Sequence, residues 1–239
     1  MPKSMYEDIF QDLKQKIESK KFEGILPSEN ELIKIYNCSR NTIRRAISML
    51  SDIGYTQSIH GKGVHIIYSS MKFTQKYFDL STISGLTQSG ETHGFKVKNE
   101  VISFSEMTVD EMLSKKTGLE EGCEIYFFQR LRYVDGIKKM LDISFIRKDA
   151  VPELNEEILL GSLFQYTEES GTIIQTVKRN VTIEKVTKQD EKYLDLDGYN
   201  CLAIVYSYVY NDKGIQIEFT ESRNRPDLFA FNTIATRNS

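Results

Sequence analysis

Four side chains near the N-terminus have the chemistry of DNA recognition: Arg40, Asn41, Arg44 and Arg45. Guanidinium and carboxamide groups donate hydrogen bonds to phosphate oxygens and to base edges in the major groove. A further cation, Lys62, lies between two glycines. A basic helix face can equally be a solvated surface, so these residues predict DNA contact only if the surrounding elements hold them in a DNA-binding arrangement.

The surrounding elements have the pattern of a helix-turn-helix followed by a hairpin wing. Apolar residues at intervals of four predict a first helix within residues 5–21. The segment Ser28-Glu29-Asn30-Glu31 matches a capping box and starts a second helix. An i, i+3, i+4, i+7 apolar pattern from Ile43 predicts a third helix that leaves the arginines on its outer side. Gly54 ends this helix, and strands at 55–59 and 64–68 frame the wing.

A second pair of cations lies in the middle of the chain. Arg130 and Arg132 alternate along a predicted strand, so both side chains emerge on the same face of its sheet. Two guanidinium groups on one face repel each other unless an anion lies between them, and their forked donors match a phosphate. Two solvated arginines would show the same spacing, so the pattern alone leaves both interpretations open.

The rest of the chain predicts an α+β domain with an antiparallel sheet. Strand-like runs occur at 97–104, 124–134, 139–146, 173–186, 201–210 and 216–221. Helical segments at 109–117, 161–170 and 188–195 interrupt them, and we expect these helices on one side of the sheet. We therefore predict a DNA-binding domain at residues 1–70, a linker at 71–82 and a larger sheet domain at 83–239.

Composition and charge narrow the class of protein. No apolar run in the 239 residues is long enough to span a membrane, and Met1-Pro2-Lys3-Ser4 lacks the core of a signal peptide. We expect a cytoplasmic protein without a membrane partner. The three cysteines form no CxxC pair, so neither a disulfide nor a metal site is expected, and no cofactor is expected.

The two parts of the chain differ in charge. Residues 1–70 hold ten Lys and Arg against eight Asp and Glu, and the remainder holds twenty-one Lys and Arg against twenty-six Asp and Glu. This balance suits a site-specific DNA binder.

Residues 1–70 resemble the winged helix-turn-helix of the GntR family of bacterial transcription regulators. The resemblance rests on Leu26-Pro27-Ser28-Glu29, on the segment from Ser39 to Ala46, on Gly54-Tyr55 and on Gly61-Lys62-Gly63. It implies binding to double-stranded operator DNA. We expect a homodimer on a palindromic operator, since one winged head covers a single half-site. The implied DNA-contacting residues are Ser28, Ser39, Arg40, Asn41, Thr42, Arg44, Arg45, His60, Gly61, Lys62 and Gly63. His60 stands where arginine or a polar residue is usual.

The remainder resembles the effector-binding domain of the HutC branch of that family, a chorismate-lyase-like (UTRA) antiparallel-sheet domain. The resemblance rests on Arg130-Leu131-Arg132, on Leu141-Asp142 and on the segments 162–166 and 221–231. Segments 194–199 and 220–225 resemble, more narrowly, the repressors of trehalose operons, which respond to trehalose 6-phosphate. The implied effector residues are Ser84, Gly85, Leu86, Thr87, Ser89, Arg130, Arg132, Asp142, Ser162, Phe164, Glu221, Arg223 and Phe229.

Several of these residues leave their role open. The stretch 83–89 is expected to be a loop that offers backbone amides and a serine hydroxyl to the phosphate, or it belongs to the linker. Phe164 and Phe229 stand where related sensors often carry tyrosine, and they keep only an aromatic face for a sugar ring. Asp142 and Glu221 are either partners of sugar hydroxyls or outward residues of their strands.

Three other functions fit parts of the sequence. A GntR regulator of this kind could sense an amino-sugar phosphate, a fatty acyl group or an amino acid instead. A chorismate-lyase-like enzyme would share the fold, but the chain has three histidines, two of them in the wing, and no nucleophile, Walker or metal-ligand motif. We therefore expect that the protein is not an enzyme. A purely architectural DNA binder would have no use for the large second domain.

Overall fold

The computed structural model describes residues 4–69 and 86–228, which divide into two compact units. The predicted linker at 71–82 and three predicted effector residues, Ser84, Gly85 and Phe229, lie outside the described residues. Within the described part, no helix is both long enough and apolar enough to cross a membrane.

The N-terminal unit contains three helices and a two-stranded hairpin, in the predicted order. The helices are α1 (Met5–Glu18), α2 (Glu29–Tyr36) and α3 (Arg40–Asp52), and the strands are β1 (Thr56–Ile59) and β2 (Gly63–Ile66). Leu13, Leu32, Ile43 and Leu50 are fully buried where the three helices meet. The predicted apolar faces therefore form one core, and both strands are slightly shorter or shifted relative to the prediction.

The turn between α2 and α3 follows from the capping residues of the two helices. The Ser28 hydroxyl accepts from the Glu31 amide, and the Glu31 carboxylate accepts from the Ser28 amide at 2.8 Å, which is the predicted capping box. Asn37 ends α2 with a left-handed backbone (φ 47°), a conformation that asparagine tolerates better than most residues. Ser39 then caps α3 by accepting from the amide of Thr42. Two caps in close succession make the turn short.

The C-terminal unit is built on one six-stranded sheet in which every neighbouring pair is antiparallel. Its strands are β3 (Val97–Thr108), β4 (Glu124–Val134), β5 (Ile137–Arg147), β6 (Ile174–Lys185), β7 (Cys201–Asn211) and β8 (Gln216–Asn224), in the spatial order β3-β4-β5-β8-β7-β6. Asp135 and Gly136 both have positive φ and form the predicted tight turn between β4 and β5. The α+β class predicted from the sequence is confirmed.

Helices cover both faces of the sheet, whereas we expected them on one side. The helices are α4 (Leu86–His93), α5 (Glu111–Thr117), α6 (Glu156–Leu159), α7 (Leu163–Glu169) and α8 (Lys188–Tyr193). Leu159 and Leu163 pack with Phe128 and Ile146, whereas the strand residues Phe145 and Phe219, on the opposite face, pack with Leu113 of α5. Strand side chains alternate between faces, so each face needs its own cover. This alternation explains the two layers of helices.

The segment from Leu86 is a helix rather than the loop that we expected. Leu86 is 2% exposed and packs with Phe95, Met140 and Leu228. Residues 86–93 have little periodicity of their own, so this burial, rather than local propensity, stabilises α4.

Candidate functional site

The outer face of α3 carries the predicted DNA-contacting cations. Arg40, Asn41, Arg44 and Arg45 are all exposed, while Ile43 and Ala46 between them are buried. Arg44 donates through Nε to Glu29 of α2 at 2.9 Å, and Arg40 donates to Asn30 at 2.7 Å. The basic face of the second helix of the motif is thus open to solvent, and two of its arginines are held in place by α2.

The remaining predicted DNA residues have visible local roles. Ser28, Ser39 and Thr42 take part in the two helix caps described above. The wing tip, residues 60–63, is exposed throughout, and Gly61 and Gly63 both have positive φ. The Lys62 amide donates to the Ile59 carbonyl at 3.0 Å, which closes the turn, and the Lys62 side chain is exposed. The arrangement suits contact with phosphates by the wing beside a recognition helix.

A cavity of about 130 Å³ lies on one face of the six-stranded sheet. One water needs about 10–15 Å³ on the same measure, so the space suits a small-molecule ligand. Its floor is made of alternate residues of β4, β5, β8, β7 and β6, and α4 and α7 contribute residues at its border. The lining residues are Leu86, Thr87, Arg130, Arg132, Met140, Asp142, Ser144, Ser162, Leu163, Phe164, Ile174, Val177, Arg179, Val205, Ser207, Val209, Glu218, Thr220, Ser222 and Asn224.

Two arginines share one carboxylate at one end of this cavity. Arg132 donates through Nε to Asp142 at 2.5 Å, and the Arg130 Nη2 atom lies 3.8 Å from the same carboxylate oxygen. Ser222 donates to the other oxygen of Asp142 at 2.6 Å. Burial alone would raise the pKa of Asp142, but the two arginines and Ser222 hold it below its usual range. Asp142 is therefore a charged structural partner of the arginines.

Arg130 is buried with incomplete hydrogen bonding. It is 3% exposed, its Nη1 donates to the Leu159 carbonyl at 3.3 Å, and its Nε has no hydrogen-bond partner among the residues that the structure describes. Burial, together with the charge of Arg132, lowers the pKa of Arg130 to about 9, so the group stays protonated at neutral pH. A buried cation with a free donor costs free energy until an acceptor reaches it. The arginine pair can therefore accept an anion.

A row of hydroxyl-bearing side chains lies beside Asp142 and Ser222, two residues further along the strands on the same face. Ser144 on β5 faces Thr220 on β8, which faces Ser207 on β7. The Thr220 hydroxyl donates to Glu218 at 2.7 Å and lies 2.9 Å from the Ser144 hydroxyl. Burial raises the pKa of Glu218 above its usual value, although Thr220 and the arginines oppose the shift. Arg179 of β6 lies opposite Ser207 and also lines the cavity, so this part combines hydroxyl and carboxyl groups with a further guanidinium group.

Of the predicted effector residues, Leu86, Thr87, Arg130, Arg132, Asp142, Ser162 and Phe164 line this cavity. Ser89 is buried in α4 and is not part of the lining.

Glu221 and Arg223 do not belong to the cavity, which corrects our expectation. They lie on the opposite face of β8, where Arg223 donates to Asp190 of α8 at 2.7 Å and to Glu221 at 2.8 Å. On β8, residues 218, 220, 222 and 224 face the cavity, so residues of the other parity cannot. The sequence analysis missed the lining residues Glu218 and Thr220, which that parity identifies once the face of β8 is known, and it also missed Arg179 of β6.

No group of three or more His, Cys, Asp or Glu side chains able to hold a metal ion occurs within residues 4–69 and 86–228.

Comparison with known proteins agrees with this geometry. Residues 5–66 match the gntR family of bacterial regulatory proteins, and residues 92–230 match the UTRA domain. The HTH-type transcriptional regulator TreR of Bacillus subtilis is 33% identical over 232 residues, 96% of this chain and 96% of TreR.

Solved structures show the same folds. The effector-binding domain of the B. subtilis trehalose repressor (TreR) is 30% identical, with a TM-score of 0.53, over 59% of this chain and 99% of that domain. The possible transcriptional regulator YydK of B. subtilis, at 20% identity, has a TM-score of 0.77 and covers 98% of this chain and 100% of its own. The chain belongs to the GntR family of bacterial transcription regulators and carries a UTRA domain behind its DNA-binding helix-turn-helix.

Proposed function

We propose that this regulator represses a sugar-utilisation operon and leaves its operator when it binds a phosphosugar, trehalose 6-phosphate. The observation that carries the proposal is the pair of buried Arg130 and half-buried Arg132, which share the single carboxylate Asp142 at one end of the cavity. One negative charge between two guanidinium groups leaves a net positive end, and within the described part of the chain the Nε donor of Arg130 has no acceptor. A phosphate supplies both the charge and the acceptors.

The start of α4 supports a phosphate at this end. Leu86 and Thr87 are the first residues of α4 and line the same cavity as the arginine pair. The first amides of a helix have no partner within the helix and favour anions. We therefore retain the proposal that Thr87, together with Ser84 and Gly85 just before it in the sequence, contributes to phosphate binding.

The choice of trehalose 6-phosphate rests on a relative as well as on chemistry. A relative that is 33% identical over nearly the whole chain is named TreR, and the solved TreR domain is described as that of a trehalose repressor. The lining suits a phosphorylated sugar, because hydroxyl and carboxyl groups lie beyond the arginines and Phe164 offers a ring face.

On the DNA side, we propose that Arg40, Asn41, Arg44 and Arg45 of α3 contact the operator and that the wing, residues 60–63, contacts its backbone. All of these residues are exposed, and the N-terminal unit that carries them matches the gntR family of bacterial regulatory proteins. A single unit covers one half-site, so we propose a homodimer on a palindromic operator.

The test is a DNA-binding assay of the full chain on the region upstream of its own gene. Trehalose 6-phosphate should weaken binding by roughly 5- to 150-fold, the usual scale of coupling between two sites. Glucose and trehalose serve as controls without a phosphate and should have no effect at the same concentration. Binding that trehalose 6-phosphate leaves unchanged would contradict the proposed effector.

A further inference from the structure

The carboxylate of Glu29 lies beside the cations of α3, on a surface that would face DNA phosphates. Glu29 is the first residue of α2, and its two oxygen atoms are divided between two arginines of α3. Arg44 donates through Nε to Oε1 at 2.9 Å, and the Arg40 Nε atom lies 3.9 Å from Oε2. A negative charge at such a surface opposes the attraction between α3 and DNA of any sequence.

Folding stability gives little reason for this carboxylate. The side chain of Arg44 is 59% exposed and that of Glu29 is 34% exposed. An ion pair between exposed side chains contributes little to stability, because water screens the charges and both side chains lose rotamer freedom. The first turn of α2 also has a second carboxylate, Glu31, which closes the capping box. We therefore expect the main effect of Glu29 in DNA binding.

The bond to Glu29 fixes which edge of the Arg44 guanidinium group is presented to DNA. This group is a planar fork of N–H donors, and Glu29 occupies the donor at Nε. Arg44 makes no other hydrogen bond to the residues that the structure describes, so both Nη atoms at its end remain available. Two parallel donors match a base edge with two acceptors. In the major groove only guanine has such an edge, formed by O6 and N7.

The other two arginines of α3 are held in different ways. Arg40 donates through Nη2 to Asn30 at 2.7 Å, so one atom of its Nη edge is already engaged. The central guanidinium carbon of Arg45 lies 3.8 Å from the centre of the Tyr6 ring of α1, in a cation–π contact. Arg44 thus combines a fixed Nε with an open Nη edge, which is the arrangement that bidentate base recognition requires.

We propose that Glu29 determines the sequence specificity of the DNA-binding unit, because it holds Arg44 for bidentate recognition of a guanine and weakens the contact of the same arginine with phosphates. This inference rests on the operator-binding function proposed above. The Glu29–Arg44 pair has no net charge and gains little from a phosphate, whereas its Nη edge still donates two hydrogen bonds to guanine. A side chain that is fixed before binding also loses less rotamer freedom on the base. Glu29 acts through Arg44 and is therefore a positioning residue.

The test is fluorescence anisotropy of the full chain with two DNA fragments, the region upstream of its own gene and a scrambled fragment of equal length and composition. Glu29→Gln should lower the affinity for the upstream fragment roughly 10-fold. It should raise the affinity for the scrambled fragment about threefold, because Arg44 then contacts a phosphate. The slope of log affinity against log salt concentration on that fragment should steepen by about 0.9, the value of one additional phosphate contact.

Glu31→Gln is the matched control for this variant. It removes a carboxylate from the same turn of α2, but this carboxylate accepts from Ser28 rather than from an arginine of α3. The ratio of the two affinities should stay within about twofold of the parent, and the salt slope should not change.

A second measurement identifies the base that Arg44 contacts. Single guanines of the upstream fragment are replaced by 7-deazaguanine, which lacks the N7 acceptor. At one position in a half-site, this replacement should lower the affinity of the parent roughly 10-fold. The same replacement should change the affinity of Arg44→Ala and of Glu29→Gln less than about twofold, since neither variant makes the bidentate contact.

Four results would overturn the proposal for Glu29 and leave the operator function standing. They are an unchanged ratio of the two affinities in Glu29→Gln, an equal loss on both fragments, an equal change in Glu31→Gln, and a 7-deazaguanine effect that persists in Arg44→Ala. An equal loss on both fragments would mean that the substitution had only loosened α2. If the parent bound the upstream fragment no more tightly than the scrambled one, the proposed operator function would fail together with this inference.

Discussion

Replacing Arg130 by methionine should separate effector binding from stability. Methionine keeps the apolar stem of the side chain and removes the guanidinium group. Asp142 retains its 2.5 Å bond from Arg132 and its 2.6 Å bond from Ser222, while the losses are the 3.8 Å ion pair and the 3.3 Å bond to Leu159. The free energy of unfolding should therefore change by no more than about 1 kcal/mol. Two charge-assisted hydrogen bonds to the phosphate would be lost, at about 1.5–3 kcal/mol each, so effector affinity should fall at least roughly 100-fold.

Arg132→Met is the contrasting variant on the same strand. It removes the closest partner of buried Asp142, so it should lower the free energy of unfolding by about 3–5 kcal/mol as well as weaken effector binding. The assay combines urea unfolding with fluorescence anisotropy of a labelled operator fragment titrated with trehalose 6-phosphate. Arg130→Met should bind the operator as the parent does and fail to release it. Normal release by Arg130→Met, or equal destabilisation by both replacements, would refute the reasoning.

Three further predictions address the other parts of the molecule. Alanine at Arg40, Arg44 and Arg45 together should abolish specific operator binding, since each base-reading arginine contributes about 1–3 kcal/mol; undiminished affinity in a gel-shift titration would contradict the assignment of α3. Sedimentation equilibrium at micromolar concentration should give the mass of a dimer, with or without operator, and a monomer under both conditions would remove the palindromic-site proposal. Burial tends to raise the pKa of Asp190, yet Arg223 and Thr187 hold it below its usual value. A lowered pKa adds stability that is present at neutral pH and lost as the pH falls through it. Asp190→Asn should therefore lower the free energy of unfolding by about 3 kcal/mol at pH 7. The free energy of unfolding of this variant should then fall less steeply than that of the parent as the pH is lowered, while effector affinity stays unchanged.

The N-terminal unit could be predicted almost completely because its signals are local. The capping box at Ser28 and Glu31, the apolar spacing from Ile43 and the glycines at the wing tip each act within a few residues of the chain. Local signals of this kind also predicted the number of strands and the turn at Asp135-Gly136. The ends of strands were less predictable: β3 continues to Thr108 through residues that are exposed and, apart from Met107, polar, and backbone pairing with β4 sustains it.

The cavity could be predicted only in part, because its composition depends on pairing between distant strands. The spacing of Arg130 and Arg132 was enough to predict that both side chains lie on the same face of the sheet. No local feature distinguishes Glu218 from Glu221 as the cavity residue, since the choice depends on the register of β8 against β5 and β7. A shift of one residue exchanges the two faces of a strand. For the same reason α4 was missed, because the burial of Leu86 against Met140 and Leu228 is a tertiary event.

The hydrogen bond from Arg130 to Leu159 joins the guanidinium group of the cavity to the end of a helix. α6 ends at Leu159, where carbonyl groups lack helical partners, and the sheet supplies donors instead: Arg130 to Leu159, and Asn99 to Leu160 and Gly161. A guanidinium group has five N–H donors, and the bond to Leu159 uses one of them, so an anion can bind at Nε while that bond is kept. A bound anion would fix the orientation of Arg130, and the same side chain would then hold the segment that leads into Ser162 more firmly.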